Sequence, residues 1–137
     1  MKCHTTNYQN TFVAIADDCP VQKGVVPPAK GEAKTIANLQ FELIGNHPYR
    51  YTSDEVLVLV LMERNAIDPK RFEEVKAELF SKGQACLRAS PLPKKYGWGI
   101  HFDEAGKTAL VGSETKEYQA FLRDGSLKIL KAMKSSR

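Results

Sequence analysis

The segment KKYGWGIHFDEAGKTALVG, Lys94–Gly112, decides the fold class. From residue 96 to 103, large apolar side chains alternate with small or polar ones, which is the two-residue period of a half-buried strand. Residues 103–106, DEAG, have the composition of a tight turn, and residues 108–111 again have that of a strand. We therefore predict an antiparallel hairpin whose first strand turns four large side chains toward the core: Tyr96, Trp98, Ile100 and Phe102.

The rest of the chain supplies further elements around this hairpin. Residues 10–20 and 84–90 are predicted to form strands, and residues 35–46, 52–65, 68–83, 113–122 and 126–137 are predicted to form helices. The segment Val56–Met62 is ambiguous, because its β-branched alternation suits a strand. Thr52 and Glu55 have the spacing of a capping box, which favours a helix that is buried on most sides.

The predicted architecture is α+β. It is an antiparallel sheet of three to five strands, built on residues 85–111 and the N-terminal strand, with four or five helices mainly on one face. The 137 residues have the length of one common domain, so residues 1–137 are expected to form a single unit.

Composition indicates an ordinary globular protein, with 42% hydrophobic and 26% charged residues. The three cysteines, Cys3, Cys19 and Cys86, are widely spaced and predict neither a disulfide framework nor a zinc motif. No secretion signal is recognised at the start, and the longest apolar run is too short to span a bilayer. The expected compartment is the cytoplasm, and no membrane partner is expected.

The formal net charge of +4 is concentrated in residues 123–137, and the rest of the chain is charge-balanced. On the predicted last helix, four cations three residues apart would form a basic stripe: Lys128, Lys131, Lys134 and Arg137. Such a stripe suits a solvated face of a docked terminal helix, or an electrostatic contact with an acidic partner. Nucleic acid is not expected as a partner, because no nucleic-acid motif accompanies the stripe.

The main site hypothesis concerns His101, Cys86 and Arg88. Alternation places His101 on the strand face opposite the large apolar residues, and Cys86 and Arg88 together on one face of theirs. If the strands are neighbours, the three could converge, and a histidine can activate a thiol. The catalytic candidates are therefore His101, Cys86 and Arg88, and the ligand-binding candidates are Arg88, Tyr96, Gly97, Gly99 and His101.

Two structural explanations compete with this hypothesis. Free cysteine usually packs as a small hydrophobe. Glycines in strands, such as Gly97 and Gly99, often mark close backbone approach rather than an open floor beside a ligand. Metal binding is not expected, because Cys3–His4 is the only adjacent pair of soft or imidazole ligands, and no cofactor is expected.

Four phrases in the sequence resemble those of a known family: HTTNYQNTF, YTSDEV, FSKGQACLRASPL and YGWGIHFDEAGK. The family consists of uncharacterised bacterial proteins of about this length and is catalogued as a domain of unknown function. The resemblance covers nearly the whole chain. It implies a single compact bacterial domain, and it carries no activity, substrate or catalytic residues.

Two classes of function remain open at this stage. The first is a binding or interaction module with a polar site around His101, taking a small molecule or a protein partner. The alternative is a small enzyme that uses His101 with Cys86 or Arg88 in acid–base or thiol chemistry. A concave pocket bordered by His101 and reached by Cys86 or Arg88 would favour the enzyme.

Overall fold

A computed structural model describes residues 6–29, 31, 33–81 and 86–134. In these residues the fold is α+β, as predicted, with a four-stranded sheet and five α-helices. The strands are β1 (Thr11–Ala14), β2 (Trp98–Phe102), β3 (Thr108–Gly112) and β4 (Lys128–Lys131). The helices are α1 (Ile36–Gln40), α2 (Ser53–Arg64), α3 (Phe72–Leu79), α4 (Pro91–Lys95) and α5 (Lys116–Arg123).

The strand order is β3-β2-β1-β4. The hairpin predicted from the sequence is β2–β3, which is antiparallel and pairs His101 with Ala109. β1 runs antiparallel to β2, with Phe12 opposite His101, and β4 runs parallel to β1. The sheet is therefore mostly antiparallel, with one parallel pair at its edge.

The last strand corrects the prediction of a C-terminal helix. β1 pairs with β2 along one side, which leaves its other row of backbone groups open. Residues 128–131 satisfy that row, and the ladder continues where the Ala132 amide donates to the Ala14 carbonyl at 2.9 Å. This long-range pairing outweighs the local helical pattern of the segment.

The strand predicted at residues 84–90 is also wrong where the structure describes it. Cys86 is extended, but Leu87–Ala89 form a single 3₁₀ turn and Ser90 caps α4. The Ser90 hydroxyl accepts from the Leu92 amide at 3.1 Å, and Pro91 occupies the first helical position, where no amide is needed. Residues 84 and 85 lie outside the described residues.

The ambiguous segment Val56–Met62 is helical and belongs to α2. The Thr52–Glu55 capping box decides this locally: the Glu55 amide donates to the Thr52 hydroxyl, and the Thr52 amide donates to the Glu55 carboxylate. α2 is buried on most sides because the sheet, α1 and α3 surround it.

Both faces of the sheet are covered. On one face, α1, α2 and α4 pack over the main core, which includes Val13, Ile100 and Phe102, and α3 packs on the outer side of α2. On the other face, α5 covers a smaller cluster that contains Phe12, Val111 and Tyr118. His101 belongs to this second face.

Candidate functional site

His101 lies at the centre of β2 and turns away from the main core. Its strand neighbours Ile100 and Phe102 are fully buried in the main core, whereas the imidazole is partly exposed beside α5. This separation is the one predicted from the alternating sequence, and it leaves one edge of the ring within reach of solvent.

Tyr49 binds the imidazole directly. Its hydroxyl lies 2.8 Å from His101 Nδ1, and the two rings meet edge to face. Tyr49 has a φ of 61°, in the left-handed region that a large side chain adopts only when the surroundings impose it. The Tyr49 amide donates to the Thr108 carbonyl at 2.8 Å, which fastens this backbone to the sheet. The hydrogen bond is thus held by a locally strained residue that is 43% exposed.

Phe121 closes the inner side of the imidazole. Its ring stacks on His101 with centroids 4.3 Å apart and an angle of 21° between the planes. Phe121 also stacks on Phe12, whose strand position is opposite His101. The last turn of α5 therefore fixes the plane of the histidine ring.

Two carboxylates give this surface a negative local field. Burial lowers the pKa of His101, and the charges of Asp103 and Asp124 partly oppose that effect. Burial also raises the pKa of Tyr49, with a further contribution from Asp103. The imidazole and the phenol are thus both neutral at pH 7. Because the Tyr49–His101 bond can run in either direction, the free Nε2 can donate or accept a hydrogen bond.

The glycines beside His101 do not form an open floor. A Cβ on Gly99 would lie 2.6 Å from Phe12 Cζ and 2.9 Å from Tyr118 Cε2, so this glycine makes room for two aromatic rings. Gly97 has a φ of 75°, and a side chain there would overlap the Lys23 carbonyl oxygen. Tyr96 packs against the main core. These three ligand-binding candidates therefore have structural roles in the described contacts.

The structure does not bring Cys86 to His101. The Cys86 sulfur lies 3.2 Å from the hydroxyl of Tyr8, whose ring packs edge-on against Phe102 on the main-core face. His101 is on the opposite face of the same strand. The two side chains therefore lie on different sides of the sheet, and the expected convergence does not occur.

Arg88 is likewise remote from His101. Its Nε donates to the Lys131 carbonyl at 2.8 Å, and its own carbonyl accepts from the Met133 amide. Arg88 thus completes the outer edge of β4, where two backbone groups would otherwise face solvent unpaired. Its charge also acts on Tyr8, whose pKa is raised by burial and by Cys86.

The basic stripe predicted on a C-terminal helix is not present. Lys128 and Lys131 are three residues apart in a strand, so their side chains point to opposite faces of the sheet. Lys131 forms an ion pair with Asp17 at 2.6 Å, and Lys134 follows the strand in an exposed position. Arg137 lies outside the described residues.

Residue patterns in the sequence do not single out Tyr49, Phe121 and Asp124 as partners of His101. Tyr49 comes from a turn 52 positions away in the chain, and Phe121 and Asp124 come from the end of α5. The sequence offers only weak signals for these partners: Tyr49 follows a proline in HPYRY, and Phe121 lies on the apolar side of a short helix.

Other candidate sites receive little support within the described residues. No group of three or more histidine, cysteine or acidic side chains is placed to hold a metal ion there, and Cys3 and His4 lie outside that part of the chain. Four clefts follow α1, α2 and α3, and neither His101, Cys86 nor Arg88 lines any of these four. Among the helices in the described ranges, none has the length and apolarity to cross a membrane.

The sequence model of one protein family matches residues 3–137, nearly the whole chain. The family is described as a family of unknown function, DUF6157. Neither a curated protein nor a solved structure matches the chain.

Proposed function

We propose that this chain, which belongs to the DUF6157 family of unknown function, is a binding module that takes a positively charged side chain of a protein partner at the Tyr49–His101 surface. The observation that carries this proposal is the left-handed backbone of Tyr49, which holds its hydroxyl on His101. Strain of this kind persists at functional sites, where it fixes a recognition group in place.

The local charge defines the class of partner. The charged groups that act on the imidazole are the carboxylates of Asp103 and Asp124. Each carboxylate also accepts hydrogen bonds from its own turn, so the negative charges are held in fixed positions. A guanidinium or ammonium group complements this field, and His101 Nε2 can accept one of its hydrogens.

The exposed apolar surface suits a protein rather than a free amine. Tyr49, which contacts His101, is 43% exposed. Tyrosine contributes large, rigid contact area to protein interfaces. The enzyme alternative lacks such support, because its three candidate residues do not meet.

The proposal is tested by nuclear magnetic resonance with two short peptides. Acetyl-Gly-Arg-Gly-amide should shift the His101 imidazole resonances in a saturable way, and acetyl-Gly-Glu-Gly-amide should not. Asp103→Asn and Asp124→Asn keep the oxygen that accepts in each turn and remove the charge. Each should weaken binding of the arginine peptide roughly two- to fivefold, the range of exposed ion pairs.

A matched control separates a local effect from a general one. Asp17→Asn removes a carboxylate that pairs with Lys131 beyond the far end of β1, and it should leave the affinity unchanged. Ethylguanidinium, titrated in parallel, measures how much binding the guanidinium gives without a peptide backbone. Equal responses to the arginine and glutamate peptides would refute the proposal.

A further inference from the structure

A separate cleft of about 450 Å³ lies among α1, α2 and α3. Its walls are mostly aliphatic and come from all three helices: Ile36, Leu57, Val60, Leu61 and Leu79. A second cleft of about 390 Å³ shares Leu61 and Leu79, so the apolar surface continues beyond the first. Volumes of this size with aliphatic walls are typical of sites for small organic ligands.

Gln40 supplies a hydrogen-bond donor to this cleft. The residue is 4% exposed, and its Oε1 accepts from the Ser90 hydroxyl at 2.5 Å. No residue in the described part of the chain pairs with the Nε2 amide, although Gln40 lines the cleft. Because this amide is not engaged by the described residues, it can donate a hydrogen bond to an acceptor oxygen of a molecule bound in the cleft.

Arg64 supplies a cation at the mouth. It lines both the 450 Å³ cleft and an adjoining one of about 400 Å³, and the described residues offer it neither an ion pair nor a hydrogen-bonded acceptor for its side chain. Lys34, nearby, is already paired with Glu42 at 2.7 Å. Glu63 lines the adjoining cleft beside Arg64 and is the anion that would compete with a ligand there.

We propose that this cleft binds a small amphipathic anion: an acyl chain on the aliphatic walls, a carbonyl oxygen on Gln40 Nε2, and a carboxylate on Arg64. An N-acyl amino acid has these three parts in one molecule. The cleft is on the main-core side of the sheet, away from His101, so this proposal is independent of the one made for the Tyr49–His101 surface.

The test is a titration of the whole chain by calorimetry and nuclear magnetic resonance with three probes below their micelle concentrations. N-octanoylglycine carries the chain, the amide carbonyl and the carboxylate. Decanoate keeps the chain and charge without the amide, and octylamine reverses the charge. N-octanoylglycine should bind most tightly, and it should shift the side-chain amide resonances of Gln40 more than decanoate does.

Two neighbouring exposed residues give matched variants. Arg64→Gln should weaken binding of N-octanoylglycine roughly two- to fivefold, the range of exposed ion pairs. Glu63→Gln should leave the affinity equal or higher, because it removes the competing anion. Gln40→Met should reduce the preference for N-octanoylglycine over decanoate. If that variant does not fold, the Gln40 amide resonances of the native chain report the same contact.

Three results would overturn the inference. The first is no saturable binding of either anion, and the second is binding of octylamine as tight as that of N-octanoylglycine. The third is an Arg64→Gln variant with unchanged affinity.

Discussion

Replacing Gly99 by alanine tests whether the surface next to His101 is filled or open. The new Cβ would lie 2.6 Å from Phe12 Cζ and 2.9 Å from Tyr118 Cε2, well inside contact distance. Neither ring can retreat easily. Phe12 is fully buried and stacks on Phe121, and the Tyr118 hydroxyl accepts a hydrogen bond from the Ile15 amide at 3.0 Å.

The expected cost follows from two opposing effects. Forcing a methyl group into a filled core costs about 1–3 kcal/mol through displaced side chains. Restricting the unfolded chain by a Gly→Ala change returns about 0.4–1 kcal/mol. The net loss in the free energy of unfolding for Gly99→Ala is therefore about 1–2 kcal/mol. For a chain of this length that corresponds to a fall in Tm of about 3–8 °C.

Thermal and urea unfolding of the native chain, Gly99→Ala and Gly125→Ala measure this difference. A Cβ on Gly125 would meet no atom within 4 Å, so that variant should stay within about 0.5 kcal/mol of the native chain. Because Phe121 contacts both Phe12 and His101, Gly99→Ala should also shift the His101 imidazole resonances. An unchanged Tm for Gly99→Ala would refute the reasoning and indicate that the space beside His101 is open.

Three further changes have defined outcomes. Burial lowers the pKa of His101, so the unfolded chain takes up its proton at a higher pH than the folded chain does. The neutral ring therefore contributes its full stabilisation of the folded chain above about pH 6.5, and this contribution is lost as the pH falls below that value toward the pKa of His101 in the folded chain. His101→Gln removes this titration, so the Tm of the variant should change less between pH 7 and pH 5 than the Tm of the native chain. Ser90→Ala removes both the α4 cap and the bond to Gln40, and it should cost about 1–2 kcal/mol in urea unfolding. Trp98→Phe removes the 2.8 Å hydrogen bond from the indole nitrogen to the Val25 carbonyl. This variant should lose about 1 kcal/mol in the free energy of unfolding and should be cleaved faster by protease within residues 21–29. Cleavage at the native rate would contradict this prediction.

The elements that the sequence predicts correctly are those decided by short-range chemistry. The capping box at Thr52 and Glu55 starts α2 although the apolar run that follows alternates like a strand. The β2–β3 hairpin follows from alternation and from a turn in which Asp103 accepts from the amides of Ala105 and Lys107. In both cases the deciding contacts lie within four residues of one another.

The errors arise where distant segments decide. Residues 128–131 have a helical pattern, but the open edge of β1 lies more than a hundred positions earlier, and its pairing makes them a strand. Leu87–Ala89 form a 3₁₀ turn because Ser90 caps a helix two residues after Arg88. The partner of His101 is similarly distant, since only the folded chain brings the turn at Tyr49 onto β2.

Our proposal of recognition rather than catalysis at His101 rests on a physical argument about its surroundings. General acid–base catalysis requires a substrate held within hydrogen-bond reach of the imidazole, directly or through one water. Here Phe121 occupies one side of the ring, the aromatic rings beside Gly99 fill the neighbouring surface, and Tyr49 engages Nδ1. The imidazole remains partly exposed, and the charges of Asp103 and Asp124 act on it. A group that docks there from outside can be bound by charge and by one hydrogen bond, whereas Cys86 and Arg88, the two residues predicted to act with His101 in catalysis, have partners elsewhere.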